Sequence, residues 1–356
     1  MKGLWMSVMV LILLTLAACG SSESGGDTDE SNIESDNNEQ NEETGTNNED
    51  EEAYVLKFAH VVSPSTAKGK GAEKFGELLE ERTDGQVTVE IYPDSQLGSD
   101  REILEQMQSG TVHMNAPFTG VLPTFVEEFE VFDLPYLFED REQAFEAVNG
   151  DLGDYLSEKL EEQNLKLIGF WDGGFKHFTN SKRPIETPED LDGLKMRASQ
   201  SPLLISQFKA LNAGGVSIDF SELYTSLQTG TVDGQENPLS NVISQKFHEV
   251  QDYVTLSSHG YMGYPLIISQ PFYDSLPGDL QEVVEEVAME VTEWQWDVSE
   301  SDEEEYMQIL EESNVDINEL TDEQKEAFKD ALSGVYEEFH DKFEDSDKMI
   351  ELIEQN

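Results

Sequence analysis

Apolar positions begin to recur with regular periods at residue 54. Tyr54 to Val62 alternates and carries Val55, Phe58 and Val61-Val62, which predicts a strand running into the turn-prone Ser63-Pro64-Ser65. Within Ala67 to Arg82, residues Ala72, Phe75, Leu78 and Leu79 keep helical spacing, and Thr83-Asp84-Gly85 stops the helix. Gln86 to Tyr92 is a second strand, with Val87, Val89 and Ile91 on one face. Ser99 caps a helix through Gln108, and Gly110 opens a strand over Thr111 to Asn115. The resulting β-α-β-α-β order marks an α/β lobe with a mostly parallel sheet.

The chain also resembles itself. Met107-Gln108-Ser109-Gly110-Thr111-Val112 returns as Leu227-Gln228-Thr229-Gly230-Thr231-Val232, a helix ending at glycine before a short strand in both copies. Two lobes that present the same unit to a shared cleft would produce this repeat; so would chance at a common joint. Lys166 to Phe170 and Leu194 to Arg197 are further strands, with a helix over Leu203 to Leu211. Asp279 to Ser313 has no Pro or Gly, and Val284, Val287, Val291, Trp294 and Val298 form a heptad-like stripe. One helix of that length spans ~50 Å. It suits a brace along both lobes, and a coiled-coil arm is the rival.

Upstream of residue 54 the pattern changes. Lys2 precedes an apolar run from Leu4 to Leu16, the length of a signal-peptide core and short for a membrane span. It ends in Leu16-Ala17-Ala18-Cys19, a match to the bacterial lipobox, in which the thiol of Cys19 would carry the lipid; an uncleaved anchor is the alternative. From 20 to 52 the chain is polar, with acidic residues, no basic ones and Ile33 as its apolar side chain. Such a segment buries too little surface to fold and is expected to be a disordered acidic linker.

Composition narrows the function. Seventy-six acidic against 21 basic residues give a formal charge of -55, which argues against nucleic acid as a partner. A salt-stressed host would select the same acidic surface. A single cysteine excludes a disulfide framework and a Cys-rich metal site. The G-x-S-x-G, P-loop and H-E-x-x-H motifs are missing, and Ser65-Thr66-Ala67-Lys68 has the S-x-x-K spacing without K-T-G. No motif calls for a cofactor or a metal.

The scarce cations are unevenly spread. Lys176, Lys182, Arg183, Lys195 and Arg197 crowd one stretch. Arg197 ends a strand just before Ser199-Gln200-Ser201-Pro202 turns into the next helix, the position where open α/β sheets bind ligands. A guanidinium there holds either a ligand carboxylate, bidentately, or a structural ion pair.

Three segments carry a family resemblance. Phe220-Ser221-Glu222-Leu223-Tyr224-Thr225-Ser226-Leu227-Gln228-Thr229-Gly230-Thr231-Val232-Asp233-Gly234-Gln235-Glu236-Asn237-Pro238 resembles the hallmark run of the DctP-type solute-binding proteins of tripartite ATP-independent periplasmic (TRAP) transporters. Tyr92-Pro93-Asp94-Ser95-Gln96-Leu97-Gly98 and Leu191-Asp192-Gly193-Leu194-Lys195-Met196-Arg197 are similar to two more of its motifs. The resemblance implies an α/β, two-lobed periplasmic-binding-protein-like fold with hinge strands and a long helix spanning both lobes. Lobe 1 is expected over 53–173 and 262–300, and lobe 2 over 174–261 and 301–356.

For the site, the resemblance implies that Arg197 clamps a ligand carboxylate, Asn237 hydrogen-bonds it and Phe220 forms a wall. Trp171 would line the cleft, with hinge packing as its competing role. Lys176 stands where the family more often has arginine, so charge is kept and the bidentate fork is lost. Phe118 and Val121 are apolar at positions that vary with ligand, which favours a compact organic acid over a many-hydroxyl sugar acid. Asp100 and Gln200 are further pocket-facing positions. The implied protein is an extracytoplasmic receptor, lipid-anchored through Cys19 to the outer face of the membrane. It would pass a small, C4-dicarboxylate-like acid to the small and large TRAP permease subunits. A uronate, aldonate or keto-acid receptor, a sensor without a transport partner, and an enzyme on a similar scaffold are the alternatives.

Overall fold

The computed structural model describes residues 53–354, so the lipobox, Cys19 and the acidic linker lie outside the described residues. Its elements run β1 (Tyr54–Ala59), α1 (Ala67–Arg82), β2 (Val87–Tyr92), α2 (Asp100–Gln108) and β3 (Met114–Asn115). Two 3-10 helices (Thr119–Thr124 and Glu127–Asp133) lead to α3 (Arg141–Val148), α4 (Asp151–Glu161) and the long β4 (Leu165–Asn180). Then come β5 (Lys195–Ala198), α5 (Pro202–Ala210), β6 (Gly214–Ser217), α6 (Phe220–Gln228), β7 (Gly234–Asn237) and α7 (Leu239–Ser244). The chain finishes with β8 (Tyr253–Ser269), α8 (Gln270–Ser275), α9 (Gly278–Glu312), β9 (Asp316–Glu319), α10 (Asp322–Lys342) and α11 (Ser346–Glu354).

Side-chain caps set two of the early boundaries. The Thr66 hydroxyl accepts from the Gly69 amide to start α1, and Ser99 with Glu102 forms a capping box on α2. The repeated segments fold alike. In both copies the helix stops at Gln108 or Gln228 and a glycine follows at positive φ, +74° at Gly110 and +69° at Gly230. The strands start later than the sequence suggests, at Met114 and Gly234.

Among the described residues the strands make one sheet in the order β2-β1-β3-β8-β4-β7-β5-β6, with β9 beside β8. Each half is parallel by itself: β1 pairs β2 and β3, and β5 pairs β6 and β7. The expectation of a mostly parallel sheet fails at the centre. There β4 and β8 run antiparallel from Leu165–Ser269 to Asn180–Tyr253. β3 pairs with the Ile267–Ile268 end of β8, and β7 with the His177–Asn180 end of β4. The two long strands therefore belong to both halves, and a strand that leaves one half must be matched by one returning. Register shifts between Leu167 and Gly169, Asp172 and Gly174, and Lys176 and Phe178 bend this pair where it crosses. Gly174 takes a φ of +92° at one of them.

The 35-residue α9 packs along α1, β4 and α7. Its buried stripe keeps Val284, Val287 and Val291 but then drifts to Gln295, Trp296 and Ser299, leaving Trp294 and Val298 half-buried. A straight 3.6-residue helix rotates away from a seven-residue repeat by ~20° per heptad. The shifted face is polar because it meets backbone. Gln295 bonds both the amide and the carbonyl of Asp172 (2.8 and 2.7 Å), and the Trp296 indole donates to the Phe170 carbonyl at 2.7 Å. Arg141 on α3 pairs with both Asp172 and Glu303, which ties the first half to β4 and α9. At the C-terminus, α10 packs on α5, whereas α11 returns to α3 and α4 by burying Met349 and Ile353. The expected second-lobe segment 301–356 thus divides between the halves.

Trp171 is a core residue, not a cleft wall. It is fully buried, its ring centre is 6.0 Å from that of Phe58, and a Cβ on Gly71 of α1 would sit 3.2 Å from it. The sequence places it correctly on the crossing strand, but alternation cannot tell which side faces α1. Trp171→Ala is accordingly expected to lower the unfolding free energy by ~3–5 kcal/mol in urea titrations. A cost below ~1 kcal/mol would contradict this core position.

Candidate functional site

A cavity partly open to solvent lies between the two halves. Val61, Val62, Lys68, Asp100, Phe118 and Val121 come from the first half, and Arg197, Gln200, Asp219, Phe220 and Asn237 from the second. Met262 and Tyr264 of β8 close it at the crossing. Ser95, Ser99, Arg101, Ser199, Ile218, Ser221 and Asn241 complete its surface.

Arg197 is held by the end of β5. Its Nε donates to the Ile218 carbonyl at 2.9 Å and its side chain is 6% exposed. Among the described residues no carboxylate oxygen lies within 4.0 Å of its nitrogens. Burial pulls its pKa down to about 10, against the attraction of Glu236 and Asp219. The Asp219 carboxylate instead accepts from the Gln200 amide at 2.6 Å. A guanidinium keeps its charge even so, and the outer N–H groups remain free to meet an anion.

Asn237 ends β7 with no exposed surface. Its Oδ1 accepts from Asn241 at 2.9 Å, and its Nδ2 donates to Gln235, whose own amide donates to Thr179 at 3.0 Å. Asn241 also approaches the Tyr264 hydroxyl at 3.4 Å. This chain of amides fixes the Asn237 rotamer and leaves one Nδ2 hydrogen uncommitted.

Lys176 does not line the cavity. It is 1% exposed, its Nζ donates to Glu236 at 2.8 Å, and it lies 5.8 Å from the Phe118 ring centre. Phe118 thus takes the cavity surface while Lys176 stays in the interior. Glu236 also receives His259 at 2.6 Å. Burial pushes the Glu236 carboxyl up, but Lys176 and then His259 hold it down at about 2. A Cβ on Gly260 would come within 2.5 Å of the Lys176 Cε, so a glycine is what leaves room for this side chain. With its charge matched by Glu236, Lys176 has a structural ion pair rather than a free ammonium.

Of the positions singled out from sequence, Arg197, Asn237, Phe220, Phe118, Val121, Asp100 and Gln200 meet at the cavity; Lys176 and Trp171 do not. Sequence reading missed Lys68, Asn241 and Tyr264. Lys68 sits in the first turn of α1 at 2% exposure, where the helical period gives no hint of a buried charge. Among the described residues no group of three His, Cys, Asp or Glu side chains is placed to hold a metal, and no helix is long and apolar enough to cross a membrane.

The family described as bacterial extracellular solute-binding protein, family 7 (DctP) matches residues 58–342. The C4-dicarboxylate-binding periplasmic protein DctP of Rhodobacter capsulatus is 43% identical over 289 residues, covering 81% of this chain and 86% of its own. A TRAP periplasmic solute binding protein from Sulfurospirillum deleyianum, solved with bound succinate, superposes with a TM-score of 0.82 at 38% identity. That match covers 85% of this chain and 99% of the other. The sugar acid binding protein DctPAm of Advenella mimigardefordensis, solved with galactonate, gives a TM-score of 0.83 at 30% identity, with coverages of 85% and 99%.

The two buried cations of the second half should behave oppositely in the ligand-free protein. Lys176→Met leaves the buried Glu236 with His259 as its remaining partner and is expected to cost ~3–5 kcal/mol of unfolding free energy. Arg197→Met removes a charge without a close partner and should leave stability unchanged or raise it. Denaturant titrations of both variants check this, and equal losses would contradict the assignment.

Proposed function

The chain belongs to family 7 of the bacterial extracellular solute-binding proteins, and we propose that it is a lipid-anchored receptor for a small C4-dicarboxylate-like acid, which it delivers to a TRAP-type membrane permease. Arg197 carries this reading: a buried guanidinium with no close carboxylate, facing a cavity between two halves. One ligand carboxylate takes its outer N–H groups and the free Asn237 hydrogen. Closing the halves then desolvates the contact, which strengthens it. Val61, Val62, Phe118, Val121 and Met262 suit a short apolar spacer behind that carboxylate. The succinate found in the Sulfurospirillum protein supports the same size class.

A sugar acid is the second reading, favoured by Ser95, Ser99 and Ser221 on the cavity surface and by the galactonate of the Advenella protein. The family is one of extracellular solute-binding proteins, which favours a receptor over an enzyme. The anchor rests on the apolar run ending in Leu16-Ala17-Ala18-Cys19 and on Cys19 being the chain's one cysteine.

Calorimetry with succinate, fumarate, malate, galacturonate and galactonate tests the ligand class. The four-carbon diacids are expected to bind at least ~10-fold tighter, about 1.4 kcal/mol, and the reverse order would establish the sugar-acid reading. Arg197→Ala should weaken the favoured ligand ~30-fold or more, since stripping one partner from a desolvated charged contact costs ~2–5 kcal/mol. Unchanged affinity would remove Arg197 from the site. Palmitate labelling should mark the wild type and be lost in Cys19→Ser; an unlabelled wild type would refute the lipid anchor, and a label that survives the substitution would remove it from Cys19.

A further inference from the structure

Lys68 is a cavity cation with no part in the carboxylate contact just described. Its Nζ donates to the Ala116 carbonyl at 2.8 Å and lies 3.9 Å from the centre of the Tyr264 ring. Among the described residues no carboxylate oxygen lies within 4.0 Å of it, although the side chain is 2% exposed. Buried lysines are nearly always paired. An ammonium has three N–H donors; one goes to Ala116, and the aromatic face offers no lone pair in a second direction. A donor therefore remains, on the wall contributed by the half opposite Arg197.

The neighbours of Lys68 do not supply the missing anion. Asp100 on α2 attracts its charge, but the Asp100 carboxylate accepts from the Phe118 amide at 3.3 Å and the Asn115 side chain at 3.4 Å. His60, just past the end of β1, is kept neutral by burial and then by Lys68, with a pKa down at about 3. Asp172, Tyr264 and Tyr306 share a smaller cavity with Lys68, yet Asp172 is taken by Arg141, Ser299 and Tyr261. Arg101, Arg197 and Asp219 are the remaining charged groups of the main cavity, and Arg101 pairs with Glu105.

We propose that Lys68 receives a second carboxylate of the ligand, which makes the cavity selective for dianions over monoanions of equal length. The inference rests on the first carboxylate lying at Arg197. Burial lowers the Lys68 pKa to about 8, and burial raises that of Asp100. A carboxylate placed beside them favours the protonated form of each, so bound protein carries more protons than free protein. Below about pH 8 Lys68 is already charged and affinity is flat in its titration. Above it, affinity falls as pH rises, by up to ~10-fold per pH unit.

Succinate and succinamate, which differ only in one carboxylate being an amide, provide the test by calorimetry on the mature chain. Wild type is expected to prefer succinate by ~100-fold, and Lys68→Met to bring the two within ~3-fold by weakening succinate alone. Lys68→Arg should keep the preference, while proton uptake at pH 8, read from the dependence of heat on buffer ionisation enthalpy, falls. If Lys68→Met weakens both probes alike, or neither, Lys68 is a packing residue and the proposal fails. Wild type that binds succinamate as well as succinate also overturns it, with the Arg197 reading intact. Binding of neither probe overturns the diacid reading itself, and this proposal with it.

Discussion

A guanidinium withdrawn from water with no carboxylate against it is the constraint around which this fold is arranged. Burying Arg197 is unfavourable, and Glu236, on the neighbouring strand, would be an obvious partner. The protein commits Glu236 elsewhere, to Lys176 and His259, and commits Asp219 to Gln200. Both acids remain close enough to hold the arginine's charge and too far to quench its hydrogen bonds. The interior ion pair behind Phe118 and the open cation in front of it are thus two parts of one arrangement. Removing the first would release a competitor for the second.

The same logic extends to the long strands and to the net charge. β4 delivers Lys176, β8 delivers His259, Met262 and Tyr264, and β7 delivers both Glu236 and Asn237. The site is therefore built where the two halves share backbone, beside the β4–β8 register shifts. Outside, a formal charge of -55 repels anions at long range. Salt screens that field within about 8–10 Å at ordinary ionic strength, whereas buried contacts are screened much less. Capture of an anion by so acidic a protein then depends on a few desolvated cations, with no help from the surface.

Much of the fold was legible because periodicity reports burial. α1 matched its expected span, the glycine stops at Gly110 and Gly230 reproduced the internal repeat, and α9 emerged from a run without Pro or Gly. The antiparallel centre was hidden, since a strand's direction leaves no mark on its own residues. In the site, Arg197 was visible at a strand end, whereas Asn237 came from the family resemblance alone. Lys176 and Trp171 were placed by the resemblance and lie instead in the interior, on a strand whose register shifts at Asp172/Gly174 and Lys176/Phe178. Lys68 escaped notice for a different reason: helix spacing assigns charges to the outside, and only tertiary packing against Ala116 and Tyr264 turns this one inward.

The most direct test of the central claim is a crystal structure of the protein with bound succinate. The account predicts one carboxylate across the outer nitrogens of Arg197 at ~2.7–2.9 Å, hydrogen-bonded by Asn237, with the Lys176–Glu236 pair untouched. A ligand bound away from Arg197, or a carboxylate on Lys176 with Glu236 displaced, would contradict it.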